Sequence, residues 1–112
     1  MDIQKIIEIL EANREKEFVK RILSPNEYPQ IPNEDGTLST HLMSWSGPDE
    51  QGTSYVYPTI IYRNGRLERL APQTAYRYAR DSKEYIPFTN PNEADSFSKE
   101  YKNWWDGGYR QP

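Results

Sequence analysis

Two groups of residues in this chain have the types and spacing that chemistry could use. The first is His41, the only histidine, flanked by Ser39 and Thr40. A histidine near a hydroxyl can act as base to a nucleophile. Adjacent strand residues face opposite sides, however, so Thr40 does not easily meet His41, while Ser39 and Met43 share its face. The expectation for His41 is therefore a hydrogen-bonded structural role or a ligand contact rather than catalysis. The second group, Tyr62, Arg63, Tyr76, Arg77 and Arg80, combines guanidinium forks, which match phosphate or carboxylate oxygens, with rings that can stack on a base. Trp45 and Tyr57, from the strands just before, complete the expected binding set. The plainer reading of Tyr62 to Arg80 is a solvated basic face that balances an acidic loop.

Other chemistries find no support in the residue pattern. There is no cysteine, so neither a disulfide framework nor a thiolate zinc site is available. Asn33-Glu34-Asp35-Gly36 has a calcium-loop flavour but lacks the alternating ligands and the distant bidentate Glu. The carboxylate pairs Glu34-Asp35 and Asp49-Glu50 sit beside glycines and read as solvated loop residues. No phosphate-cradling glycine loop or acyl-transfer elbow occurs. The expected site thus has no catalytic residue, no metal and no cofactor.

Composition points the same way, toward binding. Of 112 residues only 35% are hydrophobic, and the mean hydropathy is -1.01, yet there are three Trp, nine Tyr and three Phe. Such rings bury large areas while Tyr and Trp keep a polar tip wet, which allows a small core together with an adhesive surface. The net charge of -3 is sorted along the chain. Ile60 to Lys83 holds six bases against two acids, whereas Asn26 to Gly52 holds five acids and no Lys or Arg. A globally acidic protein with one basic segment is a poor general nucleic-acid binder but can hold a small anion or an acidic partner. No apolar run approaches the roughly 18 residues of a membrane span, and Met1-Asp2-Ile3-Gln4-Lys5 lacks the basic start and apolar middle of a signal peptide. The expectation is a single domain over residues 1–112, intracellular or particle-associated and soluble, with self-association left open.

The elements that must position these residues follow from periodicity. Asp2 is a candidate N-cap for a helix with an Ile3, Ile6, Ile7, Leu10 stripe. Phe18, Val19, Ile22 and Leu23 form a second, offset stripe ended by Pro25, so the region 1–24 holds two helices or one with a break. Residues 25–37 read as a connecting loop with a turn at Asp35-Gly36. Leu38 to Leu70 reads as a three-stranded antiparallel meander. Its strands are Leu38–Trp45, a Tyr-rich run that needs a bulge or unpaired stretch at Pro58, and Arg66–Leu70 after a type I′ turn at Asn64-Gly65. Gly47 to Gly52 reads as a flexible acidic loop. Over 71–106, Pro72 starts a helix, Glu84–Phe88 is an edge strand, and Asn90, Pro91 and Glu93 form a capping box. The closing helix carries Ala94, Phe97, Tyr101 and Trp104 or Trp105 on one stripe and stops at Asp106-Gly107-Gly108. The fold class is α+β.

Several ordered stretches carry a resemblance: Phe18-Val19-Lys20-Arg21-Ile22-Leu23, Tyr28-Pro29, Ser39-Thr40-His41-Leu42-Met43, Val56-Tyr57-Pro58-Thr59-Ile60, Gly65-Arg66-Leu67, Glu84-Tyr85-Ile86 and Phe97-Ser98. Over about residues 18–105 the chain resembles a small module of tailed bacteriophages, found free-standing and within very large virion or ejected proteins. The resemblance brings no activity and no residue roles. It implies a phage-encoded accessory protein, virion-associated or delivered into the host, whose partner is a virion or host protein. The alternative it leaves is an anti-defence protein that occludes a host factor or sequesters a small anionic nucleotide. An enzyme using His41 is the least favoured reading.

Overall fold

The computed structural model describes residues 1–24, 27, 31–32, 38–39 and 42–101. The expected Asp35-Gly36 turn, His41, Trp104, Trp105 and the Asp106-Gly107-Gly108 stop lie outside them. The fold is α+β, an antiparallel meander with a short edge strand packed between helices.

Helix α1 spans Ile3–Ala12, and the Asp2 carboxylate caps it by accepting from the Lys5 amide at 2.7 Å. The offset between the two apolar stripes is resolved as a break. The Asn13 side chain bonds back to the Ile9 carbonyl, and α2 starts afresh as Glu17–Leu23. Between α2 and the meander, β1 (Ile31–Pro32) pairs antiparallel with β2 (Leu38–Ser39). The stretch expected to be only a connecting loop therefore contributes a strand. The single first strand expected over Leu38–Trp45 is correspondingly divided, its second part being β3, Met43–Ser46.

Strands β4 (Ser54–Pro58) and β5 (Ile60–Arg63) are one chain direction interrupted at Thr59, where Pro58 has no amide to give to a ladder. The interruption does not end the pairing. Thr59 donates to the Leu42 carbonyl at 2.9 Å and accepts from the Leu70 amide at 2.8 Å. β4 pairs with β3, and β5 pairs with β6 (Arg66–Arg69) around Asn64 and Gly65. Those two residues have φ of 55° and 74°, the positive pair a type I′ turn requires. On the other side of β4 lies the edge strand β7 (Ile86–Phe88), with Pro87 opposite Tyr55.

Alternation along β4 sends its side chains into two cores. Val56 belongs to one core with Ile6, Leu10, Phe18, Val19, Ile22 and Phe97 from α1, α2 and α4, the last spanning Pro91–Glu100. Tyr57 meets Ala75 and Ala79 of α3, Pro72–Ser82. Strand β4 is thus buried on both sides by the chain's own helices, while β3 stays half-buried along its length. Asn90 caps α4 through a bond from the Asn92 amide at 2.8 Å, one residue earlier than expected. The Glu93 amide donates to the Asn90 carbonyl and the Glu93 side chain makes no return bond among the described residues, so Asn90 is a simple N-cap and the expected capping box is not formed.

Beyond β3 the backbone turns so tightly at Gly47, with φ of 131°, that an added Cβ would lie 2.7 Å from the Ser54 Cα. At Gly65 the same atom would meet open space. Gly65→Ala should then cost only the left-handed backbone penalty, about 1 kcal/mol. Gly47→Ala should cost more, because backbone must also move. Urea denaturation of the two variants checks the order of their midpoints.

Candidate functional site

Helix α3 begins where Pro72 supplies a preset φ at the first turn, and it lies on β4 through Ala75 and Ala79. With those two small residues facing the sheet, Gln73, Tyr76, Arg77 and Arg80 fall on an adjacent stripe spaced three and four apart. They line a groove of about 590 Å³ with Pro72, Ser46 and Tyr57. Cavities of roughly 300–1,000 Å³ are the size that holds small ligands.

The wall of the groove is a tyrosine cluster. Tyr55 meets Tyr76 edge-on at 6.2 Å and Tyr85 at 5.1 Å, and Tyr57 meets Tyr76 at 5.4 Å. Arg80 rests against this cluster, its guanidinium 4.8 Å from the Tyr55 centroid and 5.8 Å from that of Tyr76. Its Nη1 donates to the Tyr76 hydroxyl at 2.8 Å. At the floor, the Ser46 and Tyr57 hydroxyls are 3.1 Å apart.

Asp49 holds the arrangement from behind. Its Oδ1 accepts from the Gln51 and Thr53 amides, each at 2.9 Å, and its Oδ2 accepts a short bond from the Tyr55 hydroxyl. The loop expected to be flexible and its acid expected to be solvated are instead fastened to the tyrosine cluster. These bonds, with the Tyr55 hydroxyl the strongest, hold the Asp49 carboxyl below the ordinary carboxylate range. The same bond pushes the Tyr55 hydroxyl up.

Of the residues expected at a site, Tyr57, Tyr76, Arg77 and Arg80 converge on this groove. The others go elsewhere. Trp45 faces the opposite core, where its Nε1 donates to Asp95 Oδ1 at 3.0 Å. Arg63 pairs with Glu68 at 2.9 Å and lies 5.9 Å from the Tyr78 ring centroid. Tyr62 lines a separate cleft of about 70 Å³ with Glu17, Arg21 and Glu84. His41 lies outside the described residues. Sequence reasoning missed Ser46, Gln73, Asp49 and Tyr55. The spacing of Gln73 four residues before Arg77 could have found one of them, and the alternation of Tyr55 with Tyr57 another.

The groove presents two guanidinium groups, the Gln73 amide and the hydroxyls of Ser46, Tyr57 and Tyr76. No lining residue is a carboxylate or imidazole that could serve as base. No group of three or more His, Cys, Asp or Glu placed to hold a metal ion occurs among the described residues. Neither Arg77 nor Arg80 has a carboxylate partner among them. Comparison with known protein families, with curated proteins and with solved structures finds no match for this chain.

Because the depressed Asp49 pKa comes first from Tyr55, Tyr55→Phe should raise it toward the ordinary value, read by carbon-detected NMR titration. The sign for stability follows. A lowered folded pKa gives a contribution present above about pH 3.9, the unfolded value, and lost as pH falls through the folded one. Tyr55→Phe should therefore flatten the acid limb of the stability curve.

Proposed function

We propose that this chain is a non-enzymatic accessory protein of a tailed bacteriophage that acts by protein-protein contact, carried in the particle or delivered into the host cytoplasm. The contact surface is the α3 groove, and the partner, a virion or host protein, presents an acidic segment to it. One observation carries this reading: Arg77 and Arg80 stand in a tyrosine-walled groove without a carboxylate partner among the described residues. Charges of one sign along a cleft select and steer a partner of the other sign. The phage setting comes from the ordered sequence resemblance. No described helix is long and apolar enough to cross a membrane, and the reading asks for none.

A second reading has its own support in the size of the groove. A small anionic nucleotide would fit a cavity of about 590 Å³, which would make the chain an anti-defence protein that sequesters a signal. A native mass spectrum of the protein from infected cells separates the two, since a retained nucleotide favours the second and a bound protein the first.

Charge reversal tests the contact surface. An Arg77→Glu, Arg80→Glu double variant should disappear from purified particles, or from the host complex, while its far-UV circular dichroism stays that of the parent. Unchanged incorporation and unchanged complex formation would overturn the reading.

A further inference from the structure

The groove is unbalanced in charge and oversupplied with donors. Arg77 and Arg80 bring two positive charges, and none of the other lining side chains is an acid. A guanidinium presents five N–H donors. Arg80 spends one on the Tyr76 hydroxyl, and Arg77 spends none on a described residue. Together they exceed what the roughly four lone-pair positions of one carboxylate can accept. A phosphoryl group, with charge near -2 and three strong acceptor oxygens, matches both the charge and the donors.

Spacing and orientation agree. Residues three apart on a helix are neighbours, with Cβ atoms about 5–6 Å apart, so both forks can reach one tetrahedral group. Gln73, one turn earlier on the same stripe, adds an amide. The aromatic faces that would grip a base are occupied or covered. Arg80 lies over Tyr55 and Tyr76, and Tyr57 is only 2% exposed.

We infer that the groove binds a terminal phosphoryl group between Arg77 and Arg80, without gripping a base, and that Asp49 is a positioning residue acting through the Tyr55 ring on Arg80. This rests on the groove being the contact surface proposed above. The phosphoryl group of a phosphorylated side chain and that of a small phosphomonoester share this chemistry.

Isothermal titration of the full chain with inorganic phosphate, AMP, adenosine, acetate, and a phosphoserine peptide beside its unphosphorylated form tests the inference. Phosphate, AMP and the phosphopeptide should all bind. Adenosine, acetate and the plain peptide should bind about tenfold more weakly or not at all. A phosphopeptide tighter than phosphate identifies a protein source, and AMP and phosphate of equal affinity agree with an ungripped base. Arg77→Gln and Arg80→Gln should each weaken phosphate binding about tenfold. Tyr55→Phe, which removes the bond to Asp49 and leaves every charge in place, should weaken it severalfold. Acetate binding as well as phosphate, or adenosine binding alone, overturns the inference. If phosphate fails to bind but the double charge reversal still abolishes the partner complex, the phosphoryl assignment falls and the contact surface stands. If neither has an effect, both fall.

Discussion

Strand β4 has no solvent face, and that constraint organises the rest of the molecule. All five of its residues, Ser54 to Pro58, are buried. A strand covered on both sides must have an element on each, and side-chain alternation decides what each provides. The Val56 side is closed by α1, α2 and α4, whose Phe18 and Phe97 are fully buried. The Tyr57 side is closed by α3, which presents alanines so that the helix can approach the tyrosines closely. The groove exists because α3 lies on tyrosines, whose hydroxyl ends reach past the apolar contact and remain available for polar bonds.

A buried cation ties the helical layer to the hairpin. Arg21, 1% exposed, donates through Nε to Glu17 Oε2 at 2.9 Å and through Nη2 to the Ile60 carbonyl at 2.8 Å. The carbonyl it satisfies lies just past the break at Thr59, so the arginine fastens α2 to β5 beside the bend in the meander. The arrangement has a cost. Burial pushes the Glu17 carboxyl up despite the arginine, and Glu17 Oε1 has no partner among the described residues. Removing Arg21 would leave the half-buried Glu17 carboxylate without this cation, a stronger constraint than the pair's own attraction.

Much of the fold was legible in the residues. The Asp2 cap, the positive-φ pair at Asn64-Gly65, Pro72 at a first turn and the Asn90-Pro91 start all act within a few residues, so local chemistry suffices to place them. Pro58 announced the interruption of the strand because a missing amide is a property of one residue. The pairing of Ile31-Pro32 with Leu38-Ser39 was not legible, because two-residue ladders carry too little periodicity. Nor was the left-handed Lys83 that ends α3, since that residue type rarely marks a positive φ.

The candidate site divides the same way. From the sequence alone came the choice of Tyr57, Tyr76, Arg77 and Arg80 as binding residues and the three-residue spacing that puts Arg77 and Arg80 on one helix face; that Tyr76 shares a groove with them was decided by the fold. Tertiary structure alone decided that Trp45 belongs to the opposite core, that Arg63 is occupied by Glu68 and Tyr78, and that Asp49 braces Tyr55. It also placed Arg21 inside, although the apolar stripe of its helix does not include it. The physical reason is distance along the chain. Whether a charge is free or partnered depends on residues brought beside it by folding, and no local pattern records that.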